Sequence, residues 1–205
     1  MPVPRWGRRQ GGRQGGSPSY HSPEGFGKVL REVWLAPGRF FSRLDPEGGP
    51  LRPALFAAAV FYLNLLLGQL LSVAWNREFN YGLLTAALPG LVVALILAPL
   101  LVAGLTMLVL TILDGAPSRR KFGPVFRALG YATAIGLVLW IPFAPFIALP
   151  YGLYVATVAV KEVLFISWRR AATAALVPLS AVLLIALLLT GFEEAYQLLI
   201  NPPGE

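Results

Sequence analysis

Apolar residues run unbroken from Leu83 to Leu113: thirty-one positions, LLTAALPGLVVALILAPLLVAGLTMLVLTIL, without one charge. A helical crossing of a hydrocarbon core takes about 20 apolar residues, and a helix buried in a soluble protein is rarely apolar on every side for so long. The stretch therefore predicts a membrane span, with four more around it. The first runs over 53–75 and closes on Trp75-Asn76-Arg77-Glu78, with Trp75 and Tyr81 placed for an aromatic belt. The third and fourth, 124–141 and 145–166, are split by Ile141-Pro142-Phe143-Ala144-Pro145, because two prolines three apart resist a continuous helix. The fifth, 171–190, follows Trp168-Arg169-Arg170. At 1.5 Å per residue the second span, 83–113, exceeds a bilayer by roughly 15 Å, which tilt and bends at Pro89 and Pro99 can absorb.

Before the spans the pattern changes period. Ser22-Pro23-Glu24 is a helix start: serine caps, proline fits the first helical position, and glutamate suits the positive end. Phe26, Val29, Leu30, Val33 and Trp34 then recur at helical spacing, with Lys28, Arg31 and Glu32 mostly opposite, until Ala36-Pro37-Gly38. Phe40, Phe41 and Leu44 form a second short apolar face beside Arg39 and Arg43. The pattern predicts an interfacial amphipathic segment over 23–50, aromatics toward lipid and cations toward water; docking into a partner's groove is the competing reading. Residues 1–22, rich in Gly, Arg, Gln, Ser and Pro, read as a disordered basic tail, and 193–205 as an acidic one.

Composition agrees. Of 205 residues 56% are hydrophobic and 13% charged, and mean hydropathy is +0.65; soluble domains carry roughly 25% charged residues. No cleaved signal is expected, since no short apolar run follows the basic start at the right distance. The placement of Lys and Arg sets orientation. Nine precede or open the first span, four follow the second (Arg119, Arg120, Lys121, Arg127), and Arg169 and Arg170 follow the fourth. The opposite-side segments carry only Arg77. Five spans over a membrane domain of 51–192, with the N-terminus cytoplasmic and the C-terminus outside, satisfy every segment.

Chemistry is sparse. The absence of cysteine excludes disulfides and thiolate chemistry, and the only histidine, His21, lies in the tail. The aspartates, Asp45 and Asp114, fall at span boundaries, and Ser72 and Ser180 have no histidine base, so no enzyme is expected. Lys161-Glu162 is the one ionisable pair within apolar sequence: part of an ion path, or a bridge whose lysine snorkels toward the interface near Arg169. Asn64 and Gln69 lie inside the first span, where an amide bonds a neighbouring helix or contacts a substrate. Small residues recur every fourth position as Gly90, Ala94, Ala98; Ala128, Ala132, Gly136; and Ala148, Gly152, Ala156. Such strips let helices approach, so spans two to four are expected to pack as one bundle.

The order of segments resembles a known family. Trp34-Leu35-Ala36-Pro37-Gly38-Arg39-Phe40-Phe41 precedes the first span; Phe122 and Phe126 lead into Arg127-Ala128-Leu129-Gly130-Tyr131-Ala132; then come Ile141-Pro142 and Ser167-Trp168-Arg169-Arg170-Ala171. Over residues 28 to 190 this resembles the Yip domain family of Ypt/Rab-interacting proteins, and specifically its prokaryotic members. The Asp-Leu-Tyr-Gly-Pro signature of eukaryotic members is absent, and Thr133-Ala134-Ile135 stand where a proline often follows Gly-Tyr-Ala. The resemblance implies five spans with a cytoplasmic N-terminus and transfers no catalytic residue; eukaryotic members bind Rab GTPases in vesicle trafficking and membrane shaping. The reading is an all-α polytopic protein of a prokaryotic cytoplasmic membrane, acting as a non-enzymatic adaptor or scaffold. Its contacts to partner proteins or anionic lipid are expected at Phe26, Trp34, Phe40, Phe41, Arg119, Arg120, Lys121, Arg169 and Arg170. The competing class is a small transporter, channel or permease subunit using Asn64, Gln69, Lys161 and Glu162. The bilayer and membrane or cytoplasmic proteins are the expected partners, a homo-oligomer is allowed, and neither nucleic acid nor a cofactor is expected.

Overall fold

The computed structural model describes residues 23–45, 48–76, 82–115, 118–178 and 180, and among them every regular element is a helix. In chain order these are α1 (Pro23–Leu35), α2 (Pro37–Ser42), α3 (Leu51–Asn76), α4 (Gly82–Asp114), α5 (Arg119–Ala132), a 3-10 segment (Thr133–Val138), α6 (Pro145–Leu164) and α7 (168–178). Three of them, α3, α4 and α6, are long and apolar enough to cross a membrane.

α4 shows how a lipid-facing helix is built. Its buried positions are Gly90, Ala94, Ala98, Val102, Thr106 and Leu110, a single stripe at spacing four, with Val109 beside it. Val92, Ile96 and Leu100 lie about 200° around the helix and are exposed. Small residues thus face protein and large aliphatics face outward, the arrangement of a helix solvated by hydrocarbon. Thr106 stays in the stripe because its hydroxyl donates to Val102 O at 2.7 Å. The helix runs through both Pro89 and Pro99.

α6 is different. It opens on Pro145 after a turn in which Phe143 takes a positive φ of 67°. From Val155 to Val160 all six residues are buried, because α2, α5 and α7 surround that level. The helix ends where Phe165 adopts the left-handed conformation and its N–H bonds Lys161 O. In α7, Ala171, Ala174 and Ala175 form the buried stripe against residues of α4, α5 and α6. The antiparallel succession of α5 and α6 places the α4–α5 and α6–α7 connections at one end of the bundle and the 139–144 turn at the other.

Two expected segments differ in shape. The basic stretch that follows the second expected span is helical from Arg119. Arg and Lys are good helix formers, and here the cations occupy the exposed first turn while residues from Val125 on are buried. The third expected span, 124–141, is α-helical only to Ala132 and continues as the 3-10 segment. Of the fifth, 171–190, the described part is helical; the remainder, with both terminal tails, Arg77 and Tyr81, lies outside the described residues.

Candidate functional site

α5 and the 3-10 segment place two unlike environments back to back. On one side α1, α2 and the start of α3 close against Arg127, Gly130, Tyr131 and Ala134. Arg127 is 3% exposed, and its Nη1 donates to the carbonyl of Gly48, which holds the connection ahead of α3. Gly130 meets α3 so closely that a Cβ there would lie 2.9 Å from Pro53 Cβ and 3.1 Å from its carbonyl oxygen. Any larger residue would push the helices apart. The Tyr131 ring stands edge-on to Phe40 at 5.5 Å and to Phe56 at 5.3 Å between centroids, and Phe26 packs on Phe56 at 5.0 Å. Trp34 Nε1 donates to Ala134 O at 3.1 Å, and the Tyr151 hydroxyl donates to Trp34 O at 2.5 Å.

The four aromatics that the sequence pattern turns toward lipid or a partner therefore have neighbours within the chain. Phe40 and Phe41 are 6% and 1% exposed, and Phe26 and Trp34 are half-buried against the same core. An amphipathic period shows that a face is buried, not what buries it. Of the residues that receive this face, Arg127 was read from sequence only as one of the basic residues after the second span, Tyr131 only as part of the Arg127–Ala132 motif, and Tyr151 not at all. Arg127 carried a signal: it stands between Val125-Phe126 and Ala128-Leu129, apart from the Arg119–Lys121 cluster.

On the other side Leu129, Ala132, Thr133 and Gly136 line an apolar cavity of about 410 Å³ between α3, α4 and α6. Six of the nine small residues in the three strips (Ala98, Ala132, Gly136, Ala148, Gly152 and Ala156) line it. There the strips leave room rather than bring helices together. Elsewhere they do allow approach: a Cβ on Gly90 would lie 3.2 Å from a Leu65 methyl of α3. Asn64 reaches the cavity wall, and its Oδ1 is buried with no hydrogen-bond partner among the described residues. Gln69 is exposed, since five residues turn a helix about 140° past Asn64. Lys161 and Glu162 bond each other at 2.5 Å, 38% and 24% exposed, toward the C-terminal end of α6 and off the cavity wall. The four polar residues expected within the membrane are not brought to one place.

The remaining predicted residues gather by topology at one end. Arg119, Arg120 and Lys121 form the first turn of α5, and Arg169 and Arg170 lie in the first turn of α7; all five are exposed. Lys121 bridges Asp114 at 2.9 Å. A helix N-terminus carries about half a positive charge and favours anions, so cations there act against helix stability and concentrate positive potential at that end.

Neither a comparison with curated proteins nor one with solved structures found a match. A family model did match, over residues 31–190, and its description is the Yip1 domain. That span takes in the end of α1 with Trp34, all of α2, the Arg127–Ala132 stretch that receives them, the cavity walls and both basic first turns. With most of its length covered by that model, and with membrane-type apolar helices, this chain belongs to the Yip1 domain family of membrane proteins.

Proposed function

We propose that the protein is a non-enzymatic membrane adaptor or scaffold of the Yip type whose basic end, on the cytoplasmic side, binds anionic lipid head groups or acidic surfaces of partner proteins. The observation that supports this most is the doubled arrangement of cations on helix N-termini at one end, Arg119 and Arg120 on α5 and Arg169 and Arg170 on α7. Each juxtamembrane cation near an anionic surface contributes on the order of 1 kcal/mol to attraction. In this reading α5 with the 3-10 segment and the helix begun by α7 complete a five-span bundle with α3, α4 and α6. The N-terminus lies inside and the C-terminus outside. α1 and α2 fold back onto the bundle at its cytoplasmic half, and the aromatic residues hold that segment so that it can present its own cations, Lys28, Arg31, Arg39 and Arg43.

The test is to purify the protein in native lipid particles and quantify bound anionic lipid and co-purifying proteins by mass spectrometry. Changing Arg119, Arg120, Arg169 and Arg170 together to Gln should reduce one or the other severalfold while insertion is unchanged. An unaltered inventory would contradict the proposal. The transport reading keeps one observation in its favour, the half-buried Lys161–Glu162 pair. Lys161→Ala separates the two: an adaptor keeps its partners, a transporter loses flux. The lack of native cysteine allows single cysteines at positions 17 and 204 to report topology, and labelling of both from one side by an impermeant thiol reagent would remove the odd number of spans.

A further inference from the structure

The cavity beside α5 poses a chemical question separate from the basic end. Its walls include α3, α4 and α6, the three helices able to cross a membrane, so the surrounding medium is hydrocarbon. Its lining is almost wholly apolar, the polar side chains being Asn64 and Thr133. The Thr133 hydroxyl donates to Gly130 O at 2.6 Å, which leaves the buried Asn64 Oδ1 as the lining acceptor without a partner among the described residues. A water molecule is held by two to four polar partners, about three being usual, and this lining is poor in them. A phospholipid chain would fill the space but offers nothing to Asn64. Asn64 stands thirteen residues after Leu51 and twelve before Asn76, about 20 Å along the helix from its start, near the middle of a hydrocarbon core of about 30 Å. Head-group donors stay at the bilayer surface.

The occupant that meets both conditions has a long hydrocarbon body, one uncharged polar group, and no head group to anchor it at the interface. We propose that the cavity is a binding site for a neutral long-chain lipid alcohol, its hydroxyl bonded to Asn64 and its chain lying over Ala98, Gly136 and Gly152. A hydroxyl both donates and accepts, so it satisfies the carboxamide through either of its heavy atoms. The volume of about 410 Å³ falls in the usual range of small-ligand pockets, roughly 300 to 1,000 Å³. The small residues at Ala98, Gly136 and Gly152 provide the room, and their replacement by larger ones would close it.

The experiment uses the full chain in phospholipid nanodiscs with two matched photoreactive probes, a diazirine-bearing hexadecanol and the corresponding hexadecane, and locates the labelled residues by mass spectrometry. The alcohol should label the cavity walls about fivefold more than the alkane, the difference expected of one neutral hydrogen bond. Asn64→Leu should abolish that preference while leaving the alkane unaffected. Ala98→Leu, which fills the space from α4, should lower labelling by both probes. Equal labelling by alcohol and alkane in the unmodified protein would overturn the proposal without any variant. So would labelling confined to outward residues such as Ile96 and Leu100, or a preference that survives Asn64→Leu.

Discussion

Arg127, Gly130 and Tyr131 on one face of α5, and Leu129 and Ala132 on the other with Thr133 at the start of the 3-10 segment, are neighbours in sequence packed in opposite ways. On the first face a buried guanidinium reaches Gly48, a glycine touches the Pro53 backbone, and a tyrosine ring is enclosed by Phe40 and Phe56. On the second the side chains line a cavity among α3, α4 and α6. Where apolar surface gains little by leaving hydrocarbon, contact geometry and hydrogen bonds decide which helices close together. The first face supplies aromatic edges, a charged donor and a close backbone approach, and the second supplies small apolar residues. The amphipathic segment is consequently fastened to the bundle, while the space among the spans stays open to a guest.

The contrast can be broken most severely from the α1–α2 side. Changing Trp34, Phe40 and Phe41 together to Ser removes the Ala134 hydrogen bond and two buried rings. Truncating one buried aromatic alone costs about 3 to 5 kcal/mol. The segment should detach and become protease-sensitive in vesicles while the spans remain inserted; unchanged protection would mean that the rings do not hold it. Arg127→Leu should cost about 2 kcal/mol, the worth of a hydrogen bond from a charged donor. It should also increase proteolysis at the 43–50 connection, which the Gly48 contact restrains. Lys161→Ala should change stability by less than about 0.5 kcal/mol, because partly exposed ion pairs contribute little. A larger loss in unfolding measurements would give the Lys161–Glu162 pair a structural weight that its position does not suggest.

Much of the framework was readable from apolar run lengths. The uncharged stretch 83–113 is α4 to within a residue at either end, and Ser22-Pro23-Glu24 marks the start of α1. The prolines at 142 and 145 mark the turn into α6. The basic start of α5 was not readable as helix, because in a membrane sequence a cluster of cations marks where a span ends and says nothing of whether the helix ends with it. The partner of the aromatic face was hidden for a related reason: Phe40 beside lipid and Phe40 beside Tyr131 have the same period. The cavity was hidden more deeply. Ala132, Gly136 and Gly152 form the same small-residue pattern whether helices touch across it or leave a void, and the choice is made by the neighbours' backbones.

The most direct test of the two-faced helix compares two glycines six residues apart in one set of unfolding measurements. Gly130→Ala places a Cβ against the Pro53 carbonyl and should destabilise by about 1 to 3 kcal/mol, the usual effect of overpacking. Gly136→Ala places it in ordinary contact, 3.7 Å from a Val60 methyl beside the cavity, and should be neutral or stabilising by up to about 1 kcal/mol, the gain of alanine over glycine in a helix. Opposite signs would bear out a closed face and an open face along α5 and the 3-10 segment that continues it. Equal destabilisation by both would contradict it.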